Sequence, residues 1–195
     1  SAAALCWETA TPFVTDHADS DLVQQAWHKG INSPQSSAAG RVFDAAASLT
    51  GILQAGSFEG QGPMYLEACA AGVTGEAVEL PLTRTETGLW QTDWAPLLAP
   101  LLDTRRPVAQ RAADFHAGMA RALRRQAERL AESHAFTRIG LTGGVFQNAV
   151  LSELACAELA AAGFQVELPE RLPCNDAGIS FGQAIEVLYD GGCEL

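Results

Sequence analysis

Basic side chains are scarce in this chain: 12 lysines and arginines stand against 23 aspartates and glutamates, a formal net charge of -11. Nucleic acid held through its phosphates needs the opposite balance, so no nucleic-acid partner is expected. Arg121, Arg124, Arg125 and Arg129 form a basic run, but alanine and leucine at helical spacing between them make it read as a solvated helix face. No apolar run approaches the roughly 20 residues that span a bilayer, so no membrane partner is expected either. Histidine is sparse as well. His17, His28, His116 and His134 include no pair one helical turn apart, and no three-ligand zinc or iron site is visible. A Walker-type Gly-Lys-Ser/Thr and a defensible Ser-His-Asp order are also missing.

Five cysteines, Cys6, Cys69, Cys156, Cys174 and Cys193, form no Cys-x-x-Cys pair, and no secretory signal precedes them. An odd, widely spaced set fits reduced thiols, so a cytoplasmic location is expected. What the chain does have is apolar mass: 195 residues, 48% of them hydrophobic, are enough for a buried core. It opens without a methionine and reads as a processed or excised piece.

Along the chain, Ser1 to Asp16 shows no clear period. Leu22, Val23, Ala26 and Trp27 then form a helical stripe from Ser20 to Lys29, with Asp19-Ser20-Asp21 as caps and Gly30 as a stop. Ile31 to Gly40 reads as a loop, Arg41 to Leu49 as a helix, Ser57 to Pro63 as a glycine-rich turn, and Met64 to Ala71 as another helix. Glu76 to Thr92 reads as a β-hairpin with Pro81 on an edge. Asp93 caps a short helix ending at Leu102, and Pro107 opens the longest helix, Val108 to about Glu132. Its apolar face is Ala112, Phe115, Met119, Ala122, Leu123 and Leu130.

The last third alternates: a strand (Phe136 to Leu141), a helix (Asn148 to Ala162), a strand (Phe164 to Leu168) and a helix from about Asp176 to Tyr189. This order implies a parallel pair with a right-handed crossover, and ligands in such sheets lie at the carboxyl ends of the strands. Two features fall there. Gly143-Gly144 marks the strand-to-helix junction, where glycine admits close backbone approach and helix-terminal amides attract an anion. Asn175-Asp176 opens the last helix, and Asp176 is either a metal-binding carboxylate or an N-cap. Asn148 could bond a ligand hydroxyl or only satisfy backbone donors. Asp44 could accept from ribose hydroxyls or pair with Arg41 at i, i+3. Gly60 is a turn residue or a point of close ligand approach, and His116, beside Phe115, reads as a packed, hydrogen-bonded histidine.

Ile31-Asn32-Ser33-Pro34, Gly40-Arg41-Val42-Phe43-Asp44-Ala45, Phe58-Glu59-Gly60-Gln61, Phe115-His116, Thr142-Gly143-Gly144-Val145-Phe146-Gln147-Asn148, Pro173-Cys174-Asn175-Asp176-Ala177-Gly178 and Gly182-Gln183-Ala184 occur in that order. Over nearly the whole chain this series resembles the C-terminal part of the hydrogenase maturation carbamoyltransferases, the HypF family. It is similar, more distantly, to the tRNA threonylcarbamoyl transferases and antibiotic O-carbamoyltransferases. The resemblance implies an α/β fold, the C-terminal lobe of an actin-like, ribonuclease-H-like domain. In it a tail, a helical segment and a hairpin (residues 1–106) precede a nucleotide- and metal-binding strand-helix-strand-helix unit (residues 107–195).

The same resemblance implies a chemistry. A carbamoyl adenylate derived from ATP would be bound with a divalent metal, iron or zinc, and the carbamoyl group passed to the C-terminal cysteine of HypE on the way to the cyanide ligands of nickel-iron hydrogenase. By motif, Asp44 and Gly60 would hold the ribose and its surroundings, Gly143 and Gly144 the phosphate side, Asn148 the nucleoside, and Asp176 the metal. The family's histidine metal motif and its carbamoyl-adenylate-forming domains lie upstream of these motifs, so an upstream lobe is an implied partner. Two departures bear on the site: Ala38 stands where a second serine is usual, and Ala177 where glycine usually follows the aspartate. The alternatives are a non-catalytic module that docks a maturation partner, and an O-carbamoyl or threonylcarbamoyl transferase lobe. Transfer to tRNA fits poorly with the charge of -11.

Overall fold

The structure, a computed structural model, describes residues 1–13 and 20–189. The cap residue Asp19, together with His17 and Cys193, lies outside the described residues. The first 13 residues depart from the sequence reading: Ala2–Glu8 is a helix, α1, although no period announced it. Its signal is short, with Ala2 and Cys6 one turn apart as the buried positions. Burial pushes the Cys6 thiol pKa up from its ordinary value, as expected of a small core residue.

Four further helices lead to the hairpin and beyond it. These are α2 (Ser20–His28), α3 (Ala39–Leu49), α4 (Gln61–Ala70) and, after the hairpin, the short α5 (Leu98–Leu102). The hairpin pairs β1 (Leu82–Arg84) with β2 (Trp90–Thr92) antiparallel, Thr83 opposite Gln91. It is shorter than the sequence suggested, because Pro81, which has no N–H, precedes the ladder instead of lying within it. Its carbonyl still accepts from the amide of Asp93 at 2.8 Å. Asp93 stands one residue before the cap it was expected to be: Trp94 is the N-cap of the 3-10 turn that leads into α5, and the Asp93 carboxylate accepts from Ala95 N at 2.9 Å.

The centre of the fold is α6 (Val108–Ala131), which starts right after Pro107. Its first half is buried nearly all round, wedged between α4 and α7 (Ala149–Ala161), so the single apolar stripe read from the sequence is too narrow there. Ala112, Phe115 and Ala122 are buried as anticipated, whereas Leu130 is exposed. Phe43, Phe115 and His116 meet edge to face, with ring centroids 4.8 to 5.6 Å apart. Each buried side chain of this size contributes about 1.5–3 kcal/mol. One hydrophobic cluster takes in Cys6 from α1, Phe43 from α3, Leu66 from α4, Phe115 from α6 and Leu151 from α7, and so draws on both sides of position 106.

The arginines of α6 are not simply solvated. Arg121 and Arg124 both reach Glu158 on α7, Arg125 pairs with Glu79, and Arg129 pairs with Glu132 and lies 4.1 Å over the Trp90 ring. Carboxylates thereby neutralise the basic run and fasten the hairpin and α7 to α6.

Parallel strands β3 (Arg138–Gly140) and β4 (Gln165–Glu167) are joined through α7, with Ile139 opposite Val166. Ile139 and Val166 pack on a second cluster with Leu141, Ala155 and Leu159. The helix does not begin at the glycine pair. A 3-10 turn, Gly144–Gln147, intervenes, and Asn148 is the N-cap of α7. The chain closes with a 3-10 turn, Asp176–Gly178, and α8 (Ile179–Tyr189), which buries none of its residues.

Candidate functional site

The carboxyl ends of β3 and β4 meet, as the crossover requires. Gly143 N donates to the carbonyl of Cys174 at 2.6 Å, and the Thr142 hydroxyl donates to the same oxygen at 3.2 Å. These two bonds hold the glycine turn against the loop that carries Asn175 and Asp176. Gly143 has φ +114°, ψ 155°, a backbone shape that glycine adopts and L side chains do not. Among the described residues the amides of Gly144 and Val145 find no acceptor, so this turn presents two free donors at the sheet's carboxyl edge.

Asp176 is not the cap that local sequence rules favoured. Asn175 takes that position, its Oδ1 accepting from Ala177 N at 3.1 Å, while the Asp176 carboxylate is exposed and has no partner among the described residues. Among those residues no group of three or more His, Cys, Asp and Glu side chains is placed to hold a metal ion.

On α3, Asp44 pairs with Arg41 at 3.1 Å, and Arg41 also lies 3.7 Å from Glu59. Both Asp44 and Arg41 line a cleft of about 530 Å³ with Phe13, Gly56, Phe58 and Gly60. Gly60 is the N-cap of α4 in the left-handed conformation, φ +80°, and this lets the chain turn from Glu59 into the helix beneath the cleft. Gly143 and Gly144 do not line this cleft, but the turn they open packs on α3, with Val145 Cγ1 4.0 Å from where a side chain on Gly40 would begin. The N-terminus of α3 therefore lies between the Asp44 and Gly60 cleft and the glycine turn.

Asn148 is buried, and both of its polar atoms are used. Oδ1 accepts from Leu151 N at 2.8 Å, and Nδ2 lies 2.9 Å from His116 Nε2. His116 Nδ1 lies 2.8 Å from the Ala112 carbonyl, which only accepts. The proton is therefore on Nδ1, and Nε2 receives the Asn148 amide. Burial pushes the His116 pKa down; the Ala112 carbonyl and, less strongly, the Glu67 carboxylate push the other way. Desolvation prevails, and the ring is neutral. The expectation of a packed, hydrogen-bonded histidine holds.

Sequence reasoning missed Glu67. Its Oε1 accepts from Ala149 N at 2.7 Å, so the N-terminus of α7 already holds a carboxylate. No local pattern could have shown this, because the two residues are 82 positions apart.

Residues 2–183 match the family described as Carbamoyltransferase, Kae1-like Domain, second subdomain. The chain belongs to the HypF carbamoyltransferase family. Carbamoyltransferase HypF of Rhodobacter capsulatus is 40% identical over 169 residues, covering 86% of this chain and 22% of the relative. HypF of Synechocystis is 32% identical over 165 residues, 84% of this chain and 21% of the relative. A crystal structure of full-length HypF in the phosphate- and nucleotide-bound form superposes with a TM-score of 0.79 at 28% identity, covering 88% of this chain and 23% of that one. HypF of T. kodakarensis superposes with a TM-score of 0.77 at 26% identity, covering 96% of this chain and 24% of that one. The fold is accordingly the actin-like α/β fold of HypF, and the chain spans between a fifth and a quarter of the length of these relatives.

Proposed function

We propose that this chain is the adenylate-holding subdomain of a HypF-type carbamoyltransferase. The observation that carries the reading is the bond from Gly143 N to the Cys174 carbonyl. It sets two turn amides and a carboxylate, Asp176, that have no partner among the described residues at one edge of the sheet, next to the cleft of Asp44 and Gly60. That a HypF of the same fold was crystallised with phosphate and nucleotide supports a nucleotide as the ligand.

In this reading Asp44 accepts from the ribose hydroxyls, Gly60 lets the backbone approach the sugar, and the Gly143-Gly144 turn receives the phosphate of a carbamoyl adenylate. Asn148, whose side chain is engaged inside the protein, serves the nucleoside by holding the turn in shape. Asp176 would hold a divalent metal together with ligands from an upstream lobe, and such an ion would supply Lewis-acid polarisation of the carbamoyl carbonyl. The acceptor is the C-terminal cysteine of HypE. Its thiolate attacks the carbonyl carbon, a C–S bond forms, the C–O bond to the phosphate breaks, and AMP leaves with the bonding pair. The protein's share is orientation and charge placement.

The site is divided, so the isolated chain binds AMP weakly and transfers nothing, whereas addition of the upstream lobe restores thiocarboxamide formation on HypE. Calorimetry with AMP and mass spectrometry of HypE test both statements. Turnover by the isolated chain would refute the divided site.

A further inference from the structure

We propose that Glu67 is a positioning residue that couples the two walls of the site, a deepening that rests on the adenylate reading above. Glu67 lies on α4, the helix whose N-cap is Gly60, and its carboxylate crosses to the first residue of α7, accepting from Ala149 N at 2.7 Å. That contact is more than a cap, since α7 already has one in Asn148. What Glu67 adds is a fixed distance between the helix behind the ribose cleft and the helix behind the phosphate turn.

The segment it meets is held from other sides. Asn148 is tied to α6 through His116, the Ser152 hydroxyl donates to the Phe146 carbonyl at 2.8 Å, and Gly143 is bonded to Cys174. Residues 143–149 are therefore clasped from α6, α7 and the Cys174 loop, and Glu67 is the tie to α4. A second consequence is electrostatic. The positive end of the α7 dipole faces a carboxylate, so an anionic ligand gains nothing there. The phosphate of a bound nucleotide is left to the glycine turn, and Glu67 acts on it only through the backbone.

Glu67→Ala and Glu67→Gln variants of the full chain test this, with glutamine keeping an oxygen acceptor for Ala149 N. In the absence of nucleotide, Glu67→Ala should raise amide hydrogen exchange about tenfold at the hydrogen-bonded amides of this segment, Gly143, Phe146, Asn148 and Ala149, and Glu67→Gln should leave it close to wild type. Calorimetry should show AMP affinity about tenfold weaker for Glu67→Ala and restored by Glu67→Gln. A Glu67→Ala protein that melts lower but keeps both its exchange at 143–147 and its AMP affinity would show a merely structural residue and overturn the proposal. If AMP fails to bind the wild-type chain, the adenylate reading falls, and the exchange measurement still decides whether Glu67 couples α4 to the turn.

Discussion

The amide of Gly143 lies 2.6 Å from the carbonyl of Cys174, and this one bond converts two separate sequence motifs into a single edge. The glycine pair follows β3 and the Asn-Asp pair follows β4. They are 32 residues apart at Thr142 and Cys174, where the threonine hydroxyl reinforces the contact.

Gly143→Ala should damage both fold and site. A Cβ there meets nothing within 4 Å, so the cost is conformational: alanine is forced to φ +114°. Such strain costs about 1–3 kcal/mol, or the turn relaxes and releases the bond to Cys174. Urea denaturation should show the loss of stability, and calorimetry a weaker AMP complex. Gly144→Ala is the contrast: its surroundings are equally open and its φ is not positive, so stability should stay within about 0.5 kcal/mol of wild type.

Asp44 and Asp176 should separate by ligand. Asp176→Ala removes an exposed carboxylate without a partner among the described residues, so stability should change by less than about 0.5 kcal/mol. Transfer to HypE in the reconstituted protein should nevertheless be lost. Asp44→Ala should weaken AMP binding and leave binding of inorganic phosphate unchanged, because a ribose contact is absent from phosphate alone. The ion pair with Arg41 is the competing role for Asp44. Arg41→Ala removes that pair and keeps the carboxylate, so equal losses of AMP affinity in the two variants would assign Asp44 to the ion pair instead.

Much of the architecture was legible because it rests on local rules. Pro107 and Asp93 set helix starts, Gly30 and Gly163 stop helices at positive φ, and alternation in the last third gave the parallel pair. Two of the misses, Cys6 and Glu67, share a physical origin, which is that a decisive partner is remote in sequence. Cys6 belongs to a helix whose residues show no period because α3, more than 30 residues on, packs against α1 and helps to bury it. Asn175 outcompetes Asp176 for the cap through a geometry that composition does not encode. Glu67 looks like any half-exposed helical glutamate until Ala149 is placed beside it.

Asp114 anchors the loop before the hairpin and is expected to dominate stability among the acidic residues of α6. Its side chain is only 3% exposed. One oxygen accepts from Glu76 N at 2.8 Å and from Gln110 Nε2 at 2.9 Å, and the other from Arg106. Replacing it by alanine leaves the part-buried amide of Glu76 and the guanidinium of Arg106 without their acceptor. Arg106 is a third exposed and can recover water, so the loss should be about 2–4 kcal/mol, below the upper range for breaking a buried pair. Asp114→Asn keeps an acceptor for Glu76 N and should recover part of that. Equal urea midpoints for wild type and Asp114→Ala would contradict the anchoring role.

His116 should give the protein an acid limit. Its pKa is lowered in the folded state, chiefly by burial, from an ordinary value of 6.5. Below pH 6.5 the unfolded chain takes up a proton that the folded one refuses, so stability is fully present above 6.5 and is lost as pH falls toward the folded pKa. Within that window the slope is about 1.4 kcal/mol per pH unit for one proton. Protonation would also place a donor on Nε2, opposite the Asn148 amide, which then cannot bond to it. Since Asn148 caps α7 directly after the phosphate turn, AMP affinity should weaken at still lower pH, where the folded ring itself takes up the proton. The charged group that acts on this ring is Glu67 on α4, and it moderates the shift without reversing it. His116→Gln removes this titration, so its urea stability should be lower than wild type at pH 7.5 and should fall less steeply on acidification. Parallel pH profiles for the two proteins would mean that His116 does not set the limit.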